Sequence, residues 1–385
     1  MKVAMVDPSL FTGRYDDGLC AALARRGHEV RLLGRPLRPT DAIEPHGYAY
    51  ERRFFRLGEV VRTLTGDGTV SRLVKAADYG VDALVGPLGA LAGDVVHFQW
   101  LPFARADARL LDRLKGRAAL VHTVHNAQAY HGDNGAASAQ GKGYAELLPR
   151  FDALIVHGEA TRAALTGQGV DMSRVHLVPH PPMSLAPATP ADLDAIPVPT
   201  VPRILFFGTI RPYKGLDLLI DAVIALWKDG HDFELAIAGK PFMPVDHLLG
   251  RVKGAGFAHR LVIDLGFLPE GRLDAHLARA DIIAFPYRSI DSSGAFLSAL
   301  GYGAAMITSD AGMFGELSEG DVARFPAGNA KALTASLRVL IADGEERKRL
   351  GIAVKALAKR IGGWDEAAMA TERVYEVALA RKGAA

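Results

Sequence analysis

The segment Phe206-Phe207-Gly208-Thr209-Ile210-Arg211-Pro212-Tyr213-Lys214-Gly215 sets two cations, Arg211 and Lys214, just behind an apolar run. Ile204 to Phe207 reads as a buried strand, and Gly208 lets the backbone turn sharply at its end. A helix beginning near Leu216 follows. Fixed cations at the mouth of a helix suit a diphosphate, because the helix N-terminus adds its own partial positive charge. A surface arginine and lysine at a helix start would show the same spacing. The turn Asp291-Ser292-Ser293-Gly294 precedes a helical run from Ala295 to Tyr302 and offers free N–H groups and two hydroxyls. An ordinary N-cap is the competing reading, since Asp and Ser are preferred there; beside Arg211 and Lys214 a second phosphate contact is favoured. His125 closes an apolar strand, where a cleft residue belongs, although a hydrogen-bonded strand-end histidine would look alike. His122 points to the opposite face of that strand and reads as structural. No metal site is expected: His122, His125 and His131 lack a zinc-type set of carboxylates or cysteines. Asp192-Leu193-Asp194 has an Asp-x-Asp spacing but lies in a Pro-rich stretch, and no cofactor is called for.

Positioning such residues requires a scaffold, and composition narrows it. With 385 residues, 49% hydrophobic and 23% charged, the chain is a well-buried globular protein too long for one typical core. A net charge of +2 argues against a nucleic-acid protein with a basic surface. The single cysteine, Cys20, has no internal partner, which fits a reducing compartment. Met1 to Asp7 is a first strand, too short for a signal peptide or membrane span. A cytoplasmic protein, or one peripheral on the cytosolic face of the inner membrane, is expected. Val3–Val6, Glu29–Leu33, Val95–Phe98, Ala119–Val124, Ala153–Val156 and Val175–Val178 read as strands of a first half. Arg203–Phe207, Glu234–Ala238, Leu261–Leu265, Asp281–Phe285, Ala305–Thr308 and Ala323–Phe325 repeat the pattern. Runs apolar on consecutive positions, separated by helices, imply parallel doubly wound sheets covered on both faces. Prolines between 181 and 202 mark a linker. The expected division is 1–180, a linker at 181–202, a second α/β domain at 203–360, and a C-terminal helix at 361–385 available to cross back. The ligand cleft is expected between the domains, at the carboxyl ends of both sheets.

At this point the chain resembles the retaining nucleotide-sugar glycosyltransferases of family 4, which have the GT-B fold of two facing Rossmann-like domains. The likeness spans nearly the whole chain and is strongest from Arg203 to Asp310. It rests on the Gly208–Gly215 turn, Leu235-Ala236-Ile237-Ala238-Gly239-Lys240, Leu265-Gly266-Phe267-Leu268-Pro269, Ala280–Tyr287 and Ser292-Ser293-Gly294, in family order. Val121–Asn126, Ile155–Ala160 and Val178-Pro179-His180 match in the first half. The resemblance implies donor-diphosphate contacts at Gly208, Arg211, Lys214, Ser292, Ser293 and Gly294, and nucleotide contacts at Gly239, Lys240, Pro241, Phe267, Leu268 and Ser298. It implies a sugar contact at His125 and an acceptor site around Phe11, Thr12, Gly13, Arg14, Tyr15 and Asn126. His125, Arg211, Lys214 and Asp291 are the implied catalytic set. The family usually carries two glutamates flanking the serine turn. Here the first falls near Ile290, with Asp291 as its available substitute, and Ser298 stands at the second.

The implied reaction moves a sugar from a UDP- or GDP-sugar to a glycan or lipid-linked glycan, with retention, as in bacterial exopolysaccharide assembly. Arg52-Arg53-Phe54-Phe55-Arg56 pairs basic with aromatic residues and suits peripheral contact with an anionic membrane. A basic helix packing its apolar face on the domain is the other reading. Three rivals were weighed. No Gly-x-Gly-x-x-Gly follows the first strand, against a dinucleotide dehydrogenase. Gly135 to Lys142 misses P-loop spacing by one residue, and Gly143 replaces the Ser or Thr. A sugar-nucleotide-binding relative without activity stays open because of the missing glutamates.

Overall fold

The computed structural model describes residues 1–66, 68–84, 86, 88–127 and 143–384. His131 and the Gly135–Lys142 stretch lie outside these residues. The chain forms two compact units, Met1–His180 with Gly363–Ala385, and Pro181–Gly362.

In the first unit, β1 (Lys2–Val6), β2 (Glu29–Gly34), β3 (Ala49–Arg52), β4 (Val95–Phe98), β5 (Ala119–Thr123), β6 (Ala153–Val156) and β7 (Val175–Leu177) form one sheet. Its order is β3-β2-β1-β4-β5-β6-β7 and every pairing is parallel. Val3 and Met5 pack on one face of β1, Ala4 and Val6 on the other. Both faces are therefore buried, which is why the strand is apolar at successive positions. β3 escapes a pattern search because Ala-Tyr-Glu-Arg is neither alternating nor apolar, and it lies at the sheet edge.

The second unit builds β8 (Arg203–Phe207), β9 (Glu234–Gly239), β10 (Leu261–Leu265), β11 (Ile282–Phe285), β12 (Ala305–Ser309) and β13 (Ala323–Phe325) into an all-parallel sheet. The order β10-β9-β8-β11-β12-β13 reverses direction between β8 and β11. Such a switch point leaves a crevice at the carboxyl ends of the two strands. Ile204 and Phe206 face one core, Leu205 and Phe207 the other. Each side chain buried this fully contributes about 1.5–3 kcal/mol, so β8 is a firm base for the turn that follows it. Both units are thus Rossmann-like.

The Pro-rich stretch belongs to the second unit. Pro190–Asp194 is a short helix with Pro at its first turn, where a missing N–H costs nothing. Thr189 and Asp192 close a capping box around its start, which gives Asp192 a structural task.

The basic-aromatic segment is not a surface. Phe54 is 1% and Phe55 4% exposed, and Phe55 stacks on Tyr79 with ring centroids 5.4 Å apart. Arg53 is buried against Asp82 at 3.0 Å. Membrane contact through Arg53, Phe54 and Phe55 is therefore excluded; Arg52 and Arg56 remain exposed. The reason is that Phe54 and Phe55 supply the core beneath the helices that follow them. Among the described residues, no helix is long and apolar enough to cross a membrane.

Candidate functional site

The turn after β8 is fixed by close backbone approaches. Gly208 has φ 95°, and its N–H donates to the Ala238 carbonyl at 2.9 Å. Gly239, at φ 135°, lies so near that a Cβ there would sit 2.0 Å from the Gly208 oxygen. Pro212–Lys214 makes one 3-10 turn, and Gly215, at φ 72°, starts the helix Leu216–Lys228. A Cβ on Gly215 would meet the Pro286 oxygen at 2.0 Å. Arg288 clamps the same turn: its N–H reaches the Tyr213 carbonyl at 2.7 Å, and its guanidinium pairs with Asp217. Loops from β8 and β11 are thereby locked together at the switch point.

A cavity of about 350 Å³ opens there. Gly208, Thr209, Lys214, Ser292, Ser293 and Ser298 supply its polar wall, and Phe207, Ile290 and Leu273 are among its apolar lining. Lys214 is 5% exposed and its Nζ lies 5.1 Å from the centre of the Tyr287 ring. Among the described residues, no carboxylate lines the cavity with it. Burial pushes the Lys214 pKa down. Among the described residues, Lys214 has no anionic partner in the wall of this cavity, which carries several hydroxyls, an arrangement that suits an anion.

The structure gathers Gly208, Lys214, Ser292, Ser293, Gly294 and Ser298 around one space. Arg211 stands apart: its guanidinium lies 4.5 Å over the Phe242 ring, with Lys240 Nζ 5.3 Å from the same ring. Asp291 is not in the cavity wall, and Ile290 takes the place next to it. Ser293 Oγ accepts from the Phe296 N–H at 3.2 Å, so that hydroxyl is an N-cap as well as lining. The helix it caps runs Gly294–Ala299, shorter than the run to Tyr302 expected from sequence. Gly239 ends β9 and Pro241 follows it, Phe267 is exposed beyond β10, and Leu268 is half-buried. Tyr213, Thr209 and Leu273 were missed; the first two stand inside the very motif that was read, Tyr213 between its cations and Thr209 just before them.

In the first unit, His125 follows β5 and is buried with both ring nitrogens engaged. Nε2 lies 2.9 Å from the Gln99 side-chain amide, and Nδ1 3.3 Å from His157 Nε2. His157 Nδ1 donates to the Val178 carbonyl at 2.9 Å, so its neutral form presents a bare Nε2. Burial holds His157 down at about 4 and His125 well below the usual histidine range, so both are neutral at pH 7. Gln99 Oε1 accepts from His125 Nε2–H, while the Gln99 NH₂ group donates to the Met5 sulfur at 2.8 Å. Trp100 stacks on His125, centroids 5.4 Å apart and planes 13° off parallel. Gln99, Trp100 and His157 were not singled out; position at the ends of β4 and β6 was the available signal.

The proposed acceptor residues divide. Phe11 is exposed and packs edge-on to Trp100, and Asn126 is half-buried. Thr12 N–H donates to Asp7 at 3.1 Å and its hydroxyl accepts from Trp100 Nε1 at 3.0 Å. Gly13 and Arg14 open the helix Gly13–Arg25. Tyr15 does not face a ligand: it is buried between His125, His157, His180 and Trp364. An aromatic at the third position of that helix turns inward and becomes core.

Two family models match, the glycosyl transferase 4-like domain over residues 12–181 and glycosyl transferases group 1 over residues 201–343. The chain belongs to the family 4, group 1 glycosyltransferases. It is 28% identical over 313 residues to a D-inositol 3-phosphate glycosyltransferase of Xylanimonas cellulosilytica, covering 76% of this chain and 73% of that one. A GDP-mannose:glycolipid 4-beta-D-mannosyltransferase of Xanthomonas campestris pv. campestris is 35% identical over 104 residues, 26% of this chain and 28% of that one. The fold is similar to that of Anabaena Alr3699/HepE in complex with UDP and glucose, with TM-score 0.73 at 15% identity over 97% of this chain and 98% of that one. The glycosyltransferase is thus a GT-B enzyme with two Rossmann-like domains.

Proposed function

We propose that this glycosyltransferase takes a hexosyl group from a UDP- or GDP-sugar and passes it, with retention, to a glycan or lipid-linked glycan in cell-surface polysaccharide assembly. The observation that carries the donor reading is Lys214, a buried cation facing a cavity with no carboxylate in its wall. Names among the similar proteins support the same class, since one uses GDP-mannose and another is solved with UDP-glucose. On this reading Lys214 neutralises charge building on the leaving diphosphate, and Thr209 and Ser292 hydroxyls bond its oxygens. Arg211 serves the phosphate side from its place on Phe242. The acceptor proton passes to a donor phosphate oxygen, on the face the leaving group occupies. His125, with both nitrogens bound within the protein, shapes the sugar pocket through its ring.

The same missing carboxylates favour a second reading, a relative that binds sugar nucleotide without turning it over. One experiment separates them. UDP-, GDP- and ADP-sugars are screened by thermal shift on wild type and Lys214→Ala, and turnover is followed by NMR of the product anomer. A shift with one base, lost in Lys214→Ala, with a retained anomer, is expected. Binding without turnover would leave the inactive relative; an unchanged shift in Lys214→Ala would remove the diphosphate assignment.

A further inference from the structure

Two carboxyl groups of the first unit, those of Asp7 and Asp16, are fully buried. Asp7 follows β1, and Asp16 lies in the first turn of the helix Gly13–Arg25. The two side chains are hydrogen-bonded to each other. An ionised carboxylate only accepts, so one of them must carry a hydrogen. Asp7 already accepts from the chain: Oδ1 from Ser9 N–H at 3.2 Å and Oδ2 from Thr12 N–H at 3.1 Å. Asp16 Oδ2 is sealed from water, and among the described residues no N–H or O–H of another residue reaches it. The hydrogen between the carboxyls therefore sits on Asp16. Tyr15, Asp17 and Cys20 on the same helix and Tyr48 and Tyr50 from the β3 side surround the pair, and none of them is a cation. Arg35, which donates to the Ser9 carbonyl at 3.1 Å, is itself paired with Asp41 at 2.7 Å.

The pair is joined to the site through Thr12. Its hydroxyl accepts from Trp100 Nε1 at 3.0 Å and turns its one hydrogen toward the carboxyls, 3.4 Å from Asp7 Oδ2 and 3.4 Å from Asp16 Oδ1. Trp100 in turn lies over His125, with planes 13° off parallel. The turn that carries Thr12 does not hold itself: Leu10, a residue with a side chain, sits at φ 52° in the left-handed region. Its hold comes from the Ser9 and Thr12 N–H groups on Asp7. A chain of contacts thus runs from Asp16 through Asp7, Thr12 and Trp100 to the ring of His125.

We propose that Asp16 is a positioning residue, whose proton, shared with Asp7, latches the Asp7–Thr12 turn and so keeps Trp100 stacked on His125. Two carboxylates this close in a dry site cannot both ionise. Burial and the neighbouring Asp7 charge accordingly push Asp16 well above the usual carboxylate range. Without the proton the two side chains would repel, and Thr12 would lose the partners that orient its hydroxyl. The effect on turnover rests on the reading of His125 as part of the sugar pocket; the shared proton and the stacking do not.

Infrared difference spectra of the full chain in neutral heavy water, wild type minus Asp16→Asn, test the proton. The amide of this variant donates to Asp7 without titrating, so the latch holds while a protonated carboxyl disappears. Wild type should show a protonated-carboxyl stretch that the variant lacks; a difference made of carboxylate bands alone overturns the proposal. The stacking is read from the His125 ring resonances, assigned by their loss in His125→Gln. They should stay in place in Asp16→Asn and shift in Asp16→Ala, whose folding a melting curve checks. Thr12→Val leaves both carboxyls in place and should shift them too, so the chain of contacts is tested even if Asp16→Ala does not fold. Resonances unmoved in Thr12→Val overturn it. Turnover of UDP-glucose or GDP-mannose, whichever raises the melting temperature, should fall about tenfold or more in Asp16→Ala and return in Asp16→Asn. Equal turnover in the two variants would make Asp16 merely structural and overturn its positioning role. If wild type turns over neither sugar, the enzymatic reading fails, and the infrared and ring resonances still decide the latch.

Discussion

Lys214 is a cation that the fold keeps from water at some cost. Tyr287 returns part of it through a cation–π contact, an interaction of about 0.5–2 kcal/mol. Its folded pKa is lowered by burial, so the charged form is less stable folded than unfolded. The penalty holds at neutral pH and fades as pH rises through that lowered value toward 10.5. Lys214→Met should therefore melt at or above the wild-type temperature. Turnover should fall by the roughly 2–4 kcal/mol that one such electrostatic group supplies, or about 30- to 1,000-fold. Melting and turnover measured side by side check this, and a drop of several degrees would make Lys214 a structural pillar instead. The lysine was legible from its spacing behind the apolar run. The parting of Arg211 from it was not. Arg211 is extended, at φ −132°, and the 3-10 turn after it swings Lys214 inward while Arg211 lies on Phe242. Nothing in a one-dimensional interval of three residues specifies that turn.

At the scale of elements, the strands were readable because burial on both faces leaves no alternation to interpret. The segment 52–56 was read as a membrane contact, with a basic helix packed on the domain as the alternative. The structure buries Phe54 and Phe55 in the core, and in the helix Arg56–Thr65 that follows, Glu59 collects three cations within the domain. Hydrophobic period gives a face but not its direction. Glycines tell the same lesson in energy. Gly239→Ala would drive a Cβ to 2.0 Å from a backbone oxygen at a positive φ, and both strand turns would have to move. A loss of about 3 kcal/mol is expected from overpacking and left-handed strain together. Gly250, inside the helix Asp246–Gly254, has nothing within 4 Å of its would-be Cβ. Gly250→Ala should instead stabilise by up to about 1 kcal/mol. Chemical denaturation of the two variants gives opposite signs if the turn is as tight as described, and equal small effects would refute it.

The first unit is closed by the far end of the chain. Trp364 lies flat on Gly18, where a Cβ would come within 2.5 Å of its ring, and Tyr375 OH is 2.7 Å from His97 Nδ1. Around this seam the unit buries neutral histidines. Burial pushes His97 down to about 3, and His122 and His157 to about 4, with His125 also well below its usual range. The unfolded chain takes up protons on all four near pH 6.5 while the folded one does not, so stability falls as pH drops from about 6.5 toward 4. Opposing carboxyls sit in the same unit. Asp107 is raised to about 7 by burial, and burial also raises Asp7, Asp16, Asp17 and Asp82; these add stability as pH falls through that window. The two sets oppose one another, and removing a single histidine isolates its share. His157→Asn removes one group that charges only on unfolding and should make the limb shallower by about 1.4 kcal/mol per pH unit. Urea midpoints between pH 4 and 7 measure that slope. Parallel limbs in wild type and variant would mean that His157 takes up no proton on unfolding in this window.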